Sequence, residues 1–275
     1  MDSKITIPAL HQMKRDGRKI VGMVAWDFPM AQFVDRAGID LISVGDTVGV
    51  NLWGHATPLE VTLDEMILVG KAVRRGTKRA LLSVDFPFGP MQQGSDAVVR
   101  AAIRLFKETG ADILKLDGAA DHPEIVRAVI AKGVPVFAQF GITPQTAQKY
   151  GIDYEALSKT GAQIPPEMTE QLVAEAKMLE DAGASLLDIT NAGPVVGAAV
   201  AKAARLPVIG GFGGGPWLDG RMRMSYAAVG YNAKALDAKG ENYANISRTI
   251  VDALTAYAAD VRAGKQIKGQ APVKT

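Results

Sequence analysis

Short β-branched or leucine-rich runs alternate with longer stretches of helical periodicity along nearly the whole chain, and that alternation leaves few folds open. The runs are Ile20 to Trp26, Leu41 to Gly45, Ala80 to Val84, Ile113 to Leu116, Val134 to Phe140, Leu186 to Thr190, Val208 to Gly211 and Met222 to Tyr226. Between them the spacing predicts helices over Pro29 to Ala37, Leu63 to Arg74, Ser95 to Thr109, His122 to Lys132, Glu167 to Ala182 and Val195 to Ala204. Continuous apolar runs are buried on both faces, as a parallel sheet requires. Gly38, Gly76, Gly110, Gly133 and Gly183 stand where helices should end, in left-handed C-caps. Eight such units in 275 residues predict a single (β/α)8 barrel, a fold that takes about 250 residues. An open doubly wound sheet is the structural alternative. Ile7 to Asp16 reads as an N-terminal helix closing the barrel floor. The barrel is expected over residues 1–265, with 266–275 as a basic flexible tail. The long irregular stretch from Gly141 to Pro166 reads as a lid or an oligomer contact.

Composition narrows the class. At 48% hydrophobic and 22% charged residues, the chain can build a large core. Its 31 basic and 29 acidic residues are too balanced to suggest nucleic acid as a partner. The absence of cysteine excludes disulfides, thiolate metal sites and a cysteine nucleophile. No apolar run approaches the ~18 residues of a membrane span, and no signal peptide is visible. A soluble, cytoplasmic protein is the expectation.

Active sites of such barrels form at the C-terminal ends of the strands. The residues there are Asp27, Asp46 with Thr47, Asp85, Asp117, Gln139, Thr190 with Asn191, and the run Gly210 to Gly215. An aspartate at a strand end can simply cap the next helix. Four in succession at one rim would repel one another unless a cation sat among them. The histidines, His11, His55 and His122, all lie away from predicted strand ends. All-oxygen donors favour Mg2+ or Mn2+ over Zn2+. Mg2+ keeps open positions that a chelating 2-oxo acid would fill, and acts as a Lewis acid toward its enolate. Lys115 lies two residues before Asp117, so both share one strand face. Facing inward, it would meet a substrate carboxylate or neutralise an enolate. A Schiff-base role competes, but acidic neighbours hold the ammonium charged. The glycine run permits tight turns or close approach to a small ligand. No nucleotide-binding fingerprint accompanies it.

These motifs resemble the ketopantoate hydroxymethyltransferase family, within the phosphoenolpyruvate mutase and isocitrate lyase-like barrels. The likeness starts at Lys4 to Leu10 and runs through Val44 to Gly49, Val84 to Gly89, Leu114 to Gly118, Gly141 to Gln145 and Pro207 to Gly210. It implies that Asp46 and Asp85 ligate Mg2+, with Asp117, where the family has a glutamate supporting the ligands, as the third carboxylate of the metal site, and that Thr47 and Lys115 contact the 2-oxo acid. It also implies hydroxymethyl transfer from 5,10-methylenetetrahydrofolate to 3-methyl-2-oxobutanoate, giving 2-dehydropantoate, in a cytoplasmic decamer.

Two positions depart from that pattern. The family's general base is a glutamate at the end of strand six, where ungapped counting places Thr190. Its histidine at the end of strand five is replaced by Gln139. Neither threonine nor a neutral amide takes a proton at neutral pH. Asp188, on the same strand face as Thr190, is the candidate substitute base, one layer deeper; a buried aspartate satisfied by its neighbours is the plainer alternative. The residues after the Thr143-Pro144-Gln145 motif, Tyr150 to Gln163, are also altered. The departures leave open a divergent aldolase or C–C lyase, or a catalytically silent paralogue that binds 2-oxo acids. Lyases and hydrolases of the wider group usually carry a cysteine-bearing gating motif, absent here.

Overall fold

The computed structural model describes residues 3–152, 164–211, 214–237 and 242–269. Two compact units are present, Met1–Arg223 and Met224–Thr275. The first contains α1 (Ile7–Arg15), β1 (Ile20–Val24), α2 (Phe28–Arg36), β2 (Leu41–Val44), α3 (Leu63–Gly76), β3 (Leu81–Asp85), α4 (Phe88–Met91), α5 (Ser95–Thr109), β4 (Ile113–Leu116), α6 (Pro123–Ile130), β5 (Val136–Gly141), α7 (Thr169–Asp181), β6 (Leu186–Thr190), α8 (Gly193–Ala203) and β7 (Val208–Gly210). Its last strand, β8 (Gly220–Met224), ends at the unit boundary. The strands are parallel and close in sequence order into an eight-stranded barrel, as the alternation predicts.

Every residue of β2 through β7 is buried except Gly141 at the tip of β5. Leu41, Leu81, Ile113, Val136 and Leu186 are among the fully buried side chains, and they form the dry lower part of the wall. The predicted N-terminal helix does close the floor. Thr6 caps α1 by accepting from Ala9 N at 3.3 Å. His11 Nε2 meets Ser185 O, just before β6, at 2.8 Å. Lys14 donates to Leu206 O at 2.9 Å, before β7, and to Asp219 at 2.7 Å, before β8.

Two local expectations are corrected. The eighth strand is Gly220–Met224, not Met222 to Tyr226, and the chain turns helical at Ser225. Its sequence Gly-Arg-Met-Arg-Met buries Gly220 and Met222 while Arg221 is exposed, so it is a period-2 strand without the apolar run that marks the others. Gly76 takes no left-handed cap: it is the last residue of α3, and a β-carbon there would lie 2.7 Å from Phe28 O. Gly38, Gly110, Gly133 and Gly183 all take positive φ, as expected.

The second unit holds α9 (Ser225–Val229) and α10 (Ile246–Arg262). Asn245 caps α10 by accepting from Arg248 N at 3.0 Å. Residues 270–275, most of the expected tail, lie outside the described residues. Among the described residues no helix is long and apolar enough to cross a membrane.

Barrel closure depends on Gly220. A β-carbon there would stand 2.5 Å from Ile20 O, which is backbone and cannot rotate away. Gly220→Ala is therefore expected to destabilise the barrel by about 1–3 kcal/mol through overpacking, read as a lower urea midpoint; an unchanged midpoint would refute this closure contact.

Candidate active site

Strand register decides which side chains meet. Asp85 on β3 pairs with Lys115 on β4, and Gln139 on β5 pairs with Asp188 on β6. Alternation along each strand then turns these side chains to one face, the barrel interior. Lys115 Nζ lies 3.2 Å from Asp85 Oδ1 and 3.5 Å from Asp188 Oδ2. Its ammonium also stands 6.0 Å from the centre of the Phe137 ring. Ser43 on β2 donates to Asp85 Oδ1 at 3.2 Å. The lysine is thus an interior cation held between two carboxylates.

Asp46 follows β2 at the rim, and its backbone N–H points at Asp85 Oδ2, 3.4 Å away. Gly45 before it is required by space: a β-carbon there would lie 2.9 Å from Thr47 Oγ1. Thr47 is buried, and its carbonyl accepts from the side chain of Asn51 at 2.8 Å, at the start of a π-helical turn over Gly49–Trp53. Asp117 follows β4, and its Oδ2 accepts from Gln145 N at 3.2 Å. Among the described residues its Oδ1 is buried without a hydrogen-bond partner, as is Asp188 Oδ1.

The site therefore gathers Asp46, Asp85, Asp117 and Asp188 around one lysine, all of them buried. Burial chiefly, and then the charge of Asp85, raises Asp46 well above the usual carboxylate range. Burial also raises Asp85, against the opposing pull of Lys115 and Ser43. Asp117 is pushed up to about 7 by burial, despite hydrogen bonds from Thr143 and Gln145. Asp188 is pushed up to about 6 by burial, with Lys115 opposing. For Lys115 burial works against the charge, but Asp85, Asp188 and Asp46 outweigh it and hold the ammonium above ordinary lysine. That agrees with a permanent cation rather than a Schiff-base amine.

Not every predicted rim residue joins. Asp27 is a helix cap, its carboxylate accepting from Met30 N at 2.8 Å. Among the described residues no group of three or more histidine, cysteine, aspartate or glutamate side chains is arranged to hold a metal ion; Asp46, Asp85 and Asp117 do not form a closed three-carboxylate cage. Gln139 and Thr190 come together, Gln139 Nε2 donating to Thr190 Oγ1 at 3.0 Å. Two described glycines of the run after β7 have no room for a side chain: a β-carbon at Gly210 would meet Leu218 at 2.5 Å, and one at Gly214 would meet Gly210 O at 2.7 Å. Residues 212–213 of that run, and 153–163 of the altered stretch, lie outside the described residues.

Sequence reasoning left Ser43 unnamed and named Gln145 and Asn191 without a role. Gln145 donates through Nε2 to Asp46 Oδ2 at 2.9 Å and to Phe86 O at 3.3 Å. Ser43 was readable as a hydroxyl inside an apolar run. Asn191, next to Thr190, takes φ of 60°, alone among the described non-glycine residues, and donates to Ile142 O at 2.8 Å.

The raised carboxyls fix a pH dependence. In the unfolded chain an aspartate loses its proton near pH ~4, whereas folded Asp188 and Asp117 keep theirs to about 6 and 7. The folded state then binds more protons across that window, so stability is fully present at low pH and lost as pH rises through the folded values. In metal-free buffer the Tm should fall between about pH 5 and pH 7.5, and Asp117→Asn should flatten the slope. A Tm rising over that range, after the metal is removed, would contradict the burial argument.

The chain matches the model of the family described as ketopantoate hydroxymethyltransferase over residues 4–266. It is 36% identical over 259 residues to 3-methyl-2-oxobutanoate hydroxymethyltransferase of Cytophaga hutchinsonii, covering 94% of this chain and 93% of the relative. To the enzyme of that name from Bacteroides fragilis (strain ATCC 25285) it is 37% identical, covering 94% and 92%. Among solved structures it resembles 2,3-dimethylmalate lyase, a phosphoenolpyruvate mutase/isocitrate lyase superfamily member, with TM-score 0.60 and 15% identity over 100% of this chain and 93% of the other. It also resembles phosphonopyruvate hydrolase in complex with oxalate and Mg++, with TM-score 0.59 and 15% identity over 98% and 92%. The structural likeness carries the fold; the sequence likeness carries the family, and this chain belongs to the ketopantoate hydroxymethyltransferase family.

Proposed function

We propose that the chain is a hydroxymethyltransferase that activates C3 of a 2-oxo acid, 3-methyl-2-oxobutanoate by family likeness, for attack on a one-carbon unit from 5,10-methylenetetrahydrofolate. C3 loses its proton and forms the new C–C bond to that carbon. Water supplies the hydroxyl, and the products are 2-dehydropantoate and tetrahydrofolate. The observation that carries this reading is Lys115 bridging Asp85 and Asp188, because it places a fixed positive charge between a rim-side and a deeper carboxylate.

A divalent cation fits the residues present. Asp46 and Asp85 offer only oxygen, their mutual repulsion is relieved by a dication, and an open two-carboxylate site suits Mg2+ or Mn2+. Asp46 and Asp85 would hold it, with Asp117 supporting from the side. When bound, such a cation supplies Lewis-acid polarisation of the 2-oxo group. Lys115 stabilises negative charge developing on the oxo oxygen as C3 is deprotonated. Thr47 and the rim backbone orient the substrate carboxylate. Asp188 accepts the C3 proton through Oδ1, which has no hydrogen-bond partner among the described residues, with a pKa of about 6, close to what a general base needs.

The Gln139–Thr190 hydrogen bond favours a second reading, a C–C lyase of 4-hydroxy-2-oxo acids. There Asp188 takes the proton of the C4 hydroxyl, the C3–C4 bond breaks with its electron pair going to C3, an aldehyde leaves, and the enolate takes a proton at C3 to give the shorter 2-oxo acid. One experiment separates the two. With Mg2+, the enzyme should exchange the C3 hydrogen of 3-methyl-2-oxobutanoate for solvent deuterium, followed by NMR, and Asp188→Asn should slow exchange at least ~10²-fold. Exchange by the wild type at unaltered rates in Asp188→Asn would remove Asp188 from the role. Aldehyde release without C3 exchange would favour the lyase, and ligand-induced thermal shifts without turnover would favour a silent binding protein.

A further inference from the structure

We infer that Gln145 is a positioning residue: it holds the rim carboxylate of Asp46 in one orientation, and the β5 loop is built to present it. The inference rests on the proposed cation site at Asp46 and Asp85. An amide NH2 has two hydrogens, and both of Gln145's are used, one on Asp46 Oδ2 at 2.9 Å and one on Phe86 O at 3.3 Å. Those acceptors fix which way the amide faces, since the flipped amide would turn its oxygen onto two other oxygens. One side chain thereby links the ends of β2 and β3 to the loop after β5. The backbone N–H of Gln145 reaches a third element, Asp117 after β4, at 3.2 Å.

The loop is pre-shaped for this. Thr143 N donates to Thr146 Oγ1 at 3.1 Å, Thr146 N donates to Thr143 Oγ1 at 3.2 Å, and the two hydroxyls lie 2.8 Å apart. Pro144 sits between them with its φ restricted by the ring. The start of the turn is tied to β6, where Asn191 Nδ2 donates to Ile142 O at 2.8 Å. Asn191 does so from a left-handed backbone that a non-glycine residue adopts only when its surroundings hold it there. A chain of contacts therefore runs from the tip of β6, through a closed turn, to the carboxylate of Asp46. With Oδ2 engaged by Gln145, Asp46 Oδ1 accepts no hydrogen bond among the described residues and is the oxygen left for a cation.

A partner that orients a ligating carboxylate changes metal affinity by about 10- to 100-fold when removed. Gln145→Met keeps the length and removes both donors. Mn2+ titrations followed by EPR should show its Kd raised by at least ~10-fold over wild type, with an unchanged Tm of the metal-free protein. Gln148→Met, at an exposed position of the same loop, should bind Mn2+ as wild type does. Asn191→Gly preserves the left-handed backbone and removes only the tie to Ile142; its Kd should rise too, and it serves as the test if Gln145→Met does not fold. Wild-type Mn2+ affinity in Gln145→Met, or in Asn191→Gly where that variant alone folds, overturns the inference and leaves the cation site standing. Failure of the wild type to bind Mn2+ overturns the cation site itself, and this inference with it.

Discussion

Lys115 is held inside the barrel between Asp85 and Asp188, at 3.2 and 3.5 Å, and almost every other property of the site follows from that burial. An ammonium this far from water persists only beside carboxylates that compensate its lost hydration. The carboxylates in turn sit where they do because parallel register brings Asp85 opposite Lys115 and turns both inward. The wall around them is dry below, closed by Leu41, Leu81 and Leu186. Polarity is thus confined to the upper layers, where the strands end and a ligand can enter. The balance is deliberately uneven: four carboxyls share one ammonium, so part of the acidity must be protonated or met by another cation.

That excess gives the rim and the layer beneath it different characters. At the rim, the charge of Asp85 adds to burial in raising Asp46, and the oxygens of the two form a hard, open donor set. Below, Asp188 keeps one oxygen on Lys115, and its other oxygen is buried without a partner among the described residues. In the proposed reaction the upper pair anchors and the lower carboxylate accepts a proton. Lys115 joins the two, so a change in charge at one is felt at the other through a single side chain in a low-dielectric interior.

Much of this was legible in the residues alone, and the misses have physical causes. The strands β2 to β7 announce themselves because both their faces are buried, which demands unbroken apolar runs. β8 hides because Arg221 is exposed on alternate positions, breaking the run that the others share. Asp46, Asp85, Asp117 and Lys115 were readable as polar residues at the ends of apolar strands. Asp27 has the same signature and caps a helix, since position at a strand end does not say which way a carboxylate turns. Gln145 was visible only as the end of a Thr-Pro-Gln motif with no role attached, and only the fold of the turn carries it over Asp46.

The exchange at the ends of β5 and β6 has a consistent physical logic. Where family likeness places an ionisable pair, the chain has an amide donating to a hydroxyl at 3.0 Å. Two ionisable groups at that spot would have added to a site already overcharged with buried carboxylates; a neutral pair satisfies itself without a counter-ion. Threonine accepts the amide hydrogen, so its own hydroxyl hydrogen remains available to a substrate oxygen. Gln139 and Thr190 are then suited to orient a polar group, not to remove a proton. In the proposed reaction proton acceptance falls to a carboxylate already in the barrel, and Asp188, paired with Gln139 in register and two residues before Thr190, shares their strand face.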